Sequence, residues 1–389
     1  MGVGFRAHPA LLVGAGGLAG IARGRKLWYT LVGFAQDLIG EYSRSMSPTL
    51  KRLLSFAFLL LTLGIVLYAG FQGNDLEELA VALSSMSPVY LAICLACWAL
   101  YVVCNALSVF HFLTCQGYRI RLGQCLHAAI TGLYYSNITP GASGGQPMEM
   151  YCLSKYRISI GVSGSALAVK FVVFQAMLLL TGAVLWAANF GYVSQHAPGM
   201  TWFIVLGYVV NFFSIGMVAL MAISSRAVHA VIELCIRVGV RLKICKSPDA
   251  SRLRWENHCQ SFLSSVRMLI RKPRDVLVQC LIALVELFSL MAVIIALYHS
   301  FGLSGDGLSQ LLAMGVLLYV SASFTPLPGA SGAQEGGFAA FFRDIFPDAT
   351  LFVALLIWRF STYYLTLLVG ALVSVVDNAR GLKAQNTKE

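Results

Sequence analysis

Two cations stand inside apolar stretches of this chain, and each follows the same short motif. Pro-Gly-Ala-Ser-Gly-x-Gln occurs at Pro140–Gln146 and again at Pro328–Gln334, 188 residues apart. Lys170 lies 24 residues after Gln146, and Arg359 lies 25 after Gln334. Lysine is a compact point charge, whereas arginine is a planar fork that matches phosphate. Within the motifs, Pro and Gly turn the backbone while Ser and Gln supply side-chain donors. Backbone N–H groups at such breaks, and the positive ends of short helices, favour anions. The candidate substrate-binding set is therefore Pro140, Gly141, Ser143, Gly144, Gly145, Gln146, Glu149 and Lys170 in one half of the chain. Its counterpart is Pro328, Gly329, Ser331, Gly332, Gln334, Glu335 and Arg359. Glu286, in the middle of another apolar stretch, is the candidate counter-ion. The same residues also suit a tight turn between packed helices and a structural ion pair, and the sequence leaves both readings open.

Other chemistry is sparse. The ten cysteines are scattered. Cys94 and Cys97 form a CxxC within an apolar helix, with no second pair and no histidine cluster beside it, so they read as packing residues. No metal site, disulfide framework, cofactor or catalytic residue is assigned. His111, His127 and His299 read as hydrogen-bonded packing residues. The Asn137-Ile-Thr139 sequon is followed by Pro and is discounted for glycosylation.

The elements that must position these residues are membrane helices. Hydrophobic residues make up 58% of the 389 and charged residues 12%, with a mean hydropathy of +0.75. Soluble domains run at about 25% charged, so this chain cannot cover a water-facing surface. The net charge of +11 sits between apolar spans, where it orients helices and meets anionic lipid, which excludes a nucleic-acid role.

Spanning helices are predicted at Leu53–Gly70, Val89–Leu113, Val162–Phe190, Thr201–Ile223, Val276–Tyr298 and Leu351–Val376. Lys and Arg distribution sets their direction. Lys51 and Arg52, Arg119 and Arg121, Lys155 and Arg157, and the basic segment 224–275 fall inside, while Asp75, Glu77, Glu78 and Asp306 fall outside. The segment 123–154 must then enter and leave from the cytoplasm, and 308–347 from outside. The expected fold is an all-α polytopic membrane protein, with about six spanning helices and two oppositely oriented re-entrant hairpins in an inverted repeat. Its parts are a cytoplasmic or interfacial lead-in (1–50, where a cleaved signal is the alternative for 1–26), a first membrane half (51–223), a basic cytoplasmic loop (224–275), a second half (276–377) and a cytoplasmic tail (378–389). The basic loop suits either helices lying on the inner leaflet or a simple orientation signal.

The Thr-Pro-Gly-Ala-Ser-Gly-Gly-Gln-Pro and Pro-x-Pro-Gly-Ala-Ser-Gly-x-Gln-Glu loops, with Lys170 and Arg359, resemble the transmembrane flippase-like region of lysylphosphatidylglycerol synthases, the bacterial multiple peptide resistance factors. The resemblance covers about Lys51 to Asp377. It implies translocation of an aminoacylated phospholipid, or of a related glycolipid or polyprenyl-phosphate lipid, in a bacterial cytoplasmic membrane. Such synthases carry a soluble aminoacyl-transferase domain after the membrane region, and only about a dozen residues follow Asp377 here. The expectation is a transporter more than an enzyme. A membrane enzyme acting on a lipid phosphate, with Ser143, Ser331, His127 and Glu149 as its supply of reactive groups, and a small-anion transporter are the alternatives. The partners expected are anionic membrane lipids, with room for a second copy of the chain or a separate lipid-modifying enzyme.

Overall fold

The computed structural model describes residues 86–223, 263–268 and 271–386, apart from 324 and 326, with a few single positions from 64 to 84. The chain divides into two units at residue 62, and the description concerns the second, Leu63–Glu389. The lead-in 1–50, the expected span Leu53–Gly70, most of the basic segment 224–275 and Pro326 lie outside the described residues.

Every regular element among the described residues is helical. In order they are α1 (Pro88–Cys115), α2 (Leu122–Ile138), α3 (Gly145–Lys155), α4 (Ile160–Ala188), α5 (Phe190–His196), α6 (Thr201–Ile223), α7 (Pro273–Ser300), α8 (Leu308–Ala322), α9 (Ala333–Phe342), α10 (Asp348–Arg359) and α11 (Leu365–Asn386). Two 3₁₀ turns, Pro140–Ala142 and Pro328–Ala330, interrupt the α2–α3 and α8–α9 hairpins, and a π turn at Phe360–Tyr364 joins α10 to α11. Five stretches are long and apolar enough to cross a membrane: Pro88–Cys115, Ile160–Ala188, Thr201–Leu220, Pro273–Ser300 and Thr350–Asp377. They coincide with five of the six predicted spans. The chain is an all-α polytopic membrane protein.

Local sequence sets the ends. Pro opens α1 and α7 at the first helical turn, where its missing N–H costs nothing. Gly117, with φ 82°, closes α1: its N–H bonds the Thr114 carbonyl, and Tyr118 N–H bonds that of Leu113. Asn189 breaks the predicted Val162–Phe190 span just before its end, and the uncharged loop after it holds α5. The predicted span Leu351–Val376 is not one continuous α-helix, because the π turn falls inside it. Its last helix continues to Asn386, into the expected tail.

Helices α1 and α7 form an antiparallel pair at the centre. Cys94 Sγ lies 4.0 Å from the Val293 carbonyl, Asn105 Nδ2 donates to Glu286, Ser108 Oγ donates to Gln279, and His111 lies 3.9 Å from Asp275. In lipid, apolar side chains gain little by leaving their surroundings, so packing and buried polar contacts hold such helices together. Close approach depends on small residues. Gly207 on α6 lets the Val320 carbonyl come so near that a Cβ would lie 2.2 Å from its oxygen, and Gly370 on α11 lies under the Tyr134 ring.

The two hairpins lie against opposite ends of this pair. Cys125, Leu153 and Ile158 pack with Phe112 and Leu113 at the C-terminal end of α1, so α2 begins and α3 finishes there. Phe342 and Phe346 pack with Tyr298 at the far end of α7, where α8 begins and α9 finishes. Asp306, ahead of α8, accepts hydrogen bonds from Tyr192 and Tyr298 at that same end. Burial and the Asp306 carboxylate together raise the pKa of the Tyr192 hydroxyl. With 17 and 11 residues, α2 and α3 are about 25 and 16 Å long. Each is shorter than the ~30 Å hydrocarbon core.

Candidate functional site

The two repeated motifs fold alike through Pro-Gly-Ala and part at the next two residues, where Ser143 and Gly144 stay near-helical while Ser331 is extended and Gly332 has φ 87°. Each Pro-Gly-Ala-Ser turn closes with a Ser N–H to Pro carbonyl bond, Ser143 to Pro140 at 3.3 Å and Ser331 to Pro328 at 3.2 Å. The central residues have positive φ in both: Gly141 58° and Ala142 54°, Gly329 60° and Ala330 50°. Glycine tolerates that region freely, whereas alanine pays roughly 1–2 kcal/mol for it. Two alanines held there at matching positions mean that the surrounding helices impose the turn. Gly144 and Gly145 serve close packing instead: the Gly144 N–H donates to Thr139 Oγ1, and a Cβ on Gly145 would fall 1.8 Å from Ser136 Oγ.

Lys170 is consumed by its own half. Its ammonium donates to both oxygens of Glu149, at 2.8 and 2.9 Å, and to Asn105 Oδ1 at 3.0 Å. Glu149 sits on α3, one turn past the motif. Asn105 passes the network on, its Nδ2 donating to Glu286 Oε1 at 3.0 Å. The candidate counter-ion Glu286 thus joins Lys170 through an amide, and the direct ion partner of Lys170 is Glu149.

Arg359 repeats the arrangement with different geometry. Its guanidinium pairs with Glu335 Oε1 at 2.6 Å and donates to the Gly329 carbonyl at 3.2 Å and to Ser331 Oγ at 3.4 Å. Each cation is therefore neutralised by the glutamate of the hairpin before it. Counted from the start of its apolar stretch, Ile160 for Lys170 and Thr350 for Arg359, each lies roughly 14–15 Å in. Burying a charge at such depth unpaired is costly, so the pairing is what lets these helices carry one.

The turns meet at a shared cavity of about 290 Å³. Gly141 and Ala142 of one motif and Gly329, Ala330 and Gln334 of the other line it, together with Arg359. Lys170 does not line it, since all three of its donors are engaged behind the first hairpin. The remaining candidate residues, among them Ser143, Gln146 and Glu149, stand outside its lining. The rest of the wall is hydroxyl- and amide-rich: Tyr101, Tyr319, Tyr363, Asn137, Ser323 and Thr366 are part of it. Tyr363 ties the halves together. Its ring packs under the Arg359 guanidinium at 4.6 Å, and its hydroxyl donates to the Asn137 carbonyl at 3.3 Å. The π turn that carries Tyr363 begins directly after Arg359, and such bulges concentrate at functional sites.

Sequence reasoning passed over these tyrosines, because an aromatic in an apolar helix reads as core. Asn105 was findable as an amide within a predicted span. Asn137, weighed only as part of a sequon, turns out to face the cavity. One further group brings together metal-ligating atoms: His111, Cys115 and Asp275 place theirs within 4.8 Å of one another. Gln279 Nε2 donates to His111 Nδ1 there, which leaves the hydrogen on Nε2, facing the thiol and the carboxylate. That is the wiring of a hydrogen-bonded helix end.

The sequence has relatives. The family model of the lysylphosphatidylglycerol synthase TM region matches residues 52–370. The chain is also similar to a UPF0104 membrane protein from Archaeoglobus fulgidus, 24% identical over 270 residues, which cover 66% of this chain and 76% of that protein. Since the family match takes in both motifs, both cations and nearly all the described helices, the chain belongs to the lysylphosphatidylglycerol synthase TM region family.

Proposed function

We propose that this protein moves the head group of an anionic lipid between membrane leaflets. Membership of this family suggests a membrane protein of lipid metabolism or transport. The observation that carries the finer reading is the cavity itself, where two strained turns from oppositely placed hairpins converge with a buried guanidinium. On this reading the hairpins are re-entrant, one from each face, and belong to an inverted repeat of the kind that places substrates at mid-membrane. The Arg359 fork meets phosphate, the hydroxyl and amide wall meets the polar head, and the acyl chains stay in lipid. A cavity of this volume suits a phosphate and its first substituents, not a whole lipid. An aminoacylated phospholipid is the first candidate cargo, with polyprenyl-phosphate lipids and glycolipids next. Cytoplasmic termini and a bacterial cytoplasmic membrane complete the proposal.

The test is leaflet-resolved transport in proteoliposomes with the Arg359→Gln variant. Gln preserves hydrogen-bonding capacity and removes the charge. Loss of lipid movement by a folded variant supports the reading, and wild-type transport removes Arg359 from the site. Mass spectrometry of the same vesicles separates a transporter from an enzyme, since an enzyme would change the mass of the lipid. A small-anion transporter would move inorganic phosphate while leaving labelled lipid in place.

A further inference from the structure

The Lys170 network holds one base and two acids. With all groups ionised, Lys170 contributes +1 and Glu149 and Glu286 −1 each, which leaves a formal charge of −1. Rotation of Lys170 cannot mend the imbalance, because its three N–H bonds are already given to Glu149 and Asn105. Asn105 is equally fixed: its oxygen must face the ammonium, so its amino group must face Glu286. That amino group is the one donor that the described residues bring to the Glu286 carboxylate. The other oxygen, Oε2, accepts from none of them, although Glu286 is only 4% exposed.

Among the described residues, the neighbours of Glu286 supply no second positive charge. Tyr101, Cys104 and Asn105 face it from α1, Lys170 from α4 and Glu149 from α3. Helix α8 carries no Asp, Glu, Lys or Arg, and its Tyr319 lies by Tyr101. On α10, Arg359 is held by Glu335. A carboxylate only 4% exposed, with one hydrogen bond and a second acid nearby, is stabilised by a neutralising partner.

We propose that Glu286 is a binding site for one small monovalent cation, a proton or a sodium ion, taken up at its free oxygen. The site lies behind the first hairpin; Glu286 does not line the Arg359 cavity, although its neighbour Tyr101 does. Lys170, Asn105 and Glu149 orient the network around it.

The experiment uses the full chain in detergent, with sodium or choline as the salt cation, in mildly acidic and mildly alkaline buffer. The wild-type unfolding midpoint should rise by a few degrees on acidification if the ligand is the proton, or on replacing choline by sodium if it is sodium. Glu286→Gln, which keeps the Asn105 bond and removes the charge, should not show that rise. An identical response in both proteins overturns the proposal. Wild-type protein alone gives a second readout. Alkalinisation should remove a carboxylic-acid C=O band in the infrared difference spectrum, or equilibrium dialysis should find one ²²Na⁺ bound per chain. Absence of both signals overturns the site, even where the variant does not fold. No lipid enters these measurements, so failure of lipid transport and failure of cation binding are distinguishable.

Discussion

Glu335 divides its carboxylate between Arg359 and its own backbone. Oε1 accepts from the guanidinium at 2.6 Å, while Oε2 accepts the Gly332 N–H at 2.6 Å, at the start of α9. The acid has a second partner if the arginine is removed, and it sits where a helix N-terminus favours negative charge. Among the described residues the arginine has no such second ion partner, since only neutral oxygens of Gly329 and Ser331 remain to it.

An asymmetry in stability follows. Glu335→Gln should cost about 3 kcal/mol, at the low end for breaking a buried pair, and Arg359→Gln roughly half that. The double variant should recover most of the loss without recovering lipid movement. Thermal unfolding of the purified variants measures the first part, and proteoliposome transport the second. Equal costs for the two single variants would contradict the role given to the Gly332 N–H.

The matching glycines of the two motifs should respond unequally to alanine. At Gly141 the φ is 58° and a Cβ would meet nothing within 4 Å, so the cost is the left-handed backbone, about 1–2 kcal/mol. At Gly329 the φ is 60°, and a Cβ would also fall 2.1 Å from the Tyr363 ring. Overpacking adds about 1–3 kcal/mol. Gly329→Ala should unfold at the lower temperature, and Gly329→Ala combined with Tyr363→Leu should regain part of the difference.

Sidedness can be read with cysteines on a cysteine-free background. Lys155 ends α3, and its ammonium lies 3.8 Å from Asp377 near the end of the last span. Ser304 lies in the loop with Asp306, beside Tyr192. Lys155→Cys should react with an impermeant maleimide from the cytoplasmic face and Ser304→Cys from the opposite one. Labelling of both from one face would remove the re-entrant arrangement.

Much of this was legible in the residues. The fold class followed from composition, and five spans from hydropathy, because long apolar windows have one use. Repetition of Pro-Gly-Ala-Ser-Gly drew attention to both turns, and the offset to Lys170 and Arg359 pointed to equivalent cations. The partners were harder to read. Glu286, placed mid-span, was the obvious acid. Glu149 and Glu335 proved closer to the cations, because the short helices after each turn carry them inward, a depth that hydropathy does not encode. The different fates of Lys170 and Arg359 were also hidden. One is surrounded by three acceptors behind its hairpin, and the other reaches the cavity because the chain after it widens into a π turn. The tyrosines lining that cavity left no mark on an apolar window.

Acid precedes base in each half: Glu149 by 21 residues, Glu335 by 24. During synthesis the hairpin with its glutamate leaves the ribosome before the helix with its cation. Each membrane insertion event can then deliver a charge to a waiting partner, and the translocon releases a neutral unit. Lys170 and Arg359 need no ion partner from the other half, so each half can insert as a neutral unit before the two dock along α1 and α7. Insertion of α4 should thus be more efficient when α2 and α3 precede it in the same chain, and Glu149→Ala should abolish that gain in a glycosylation-mapping assay. The order of two residues along the chain would in this way set the order of assembly in the membrane.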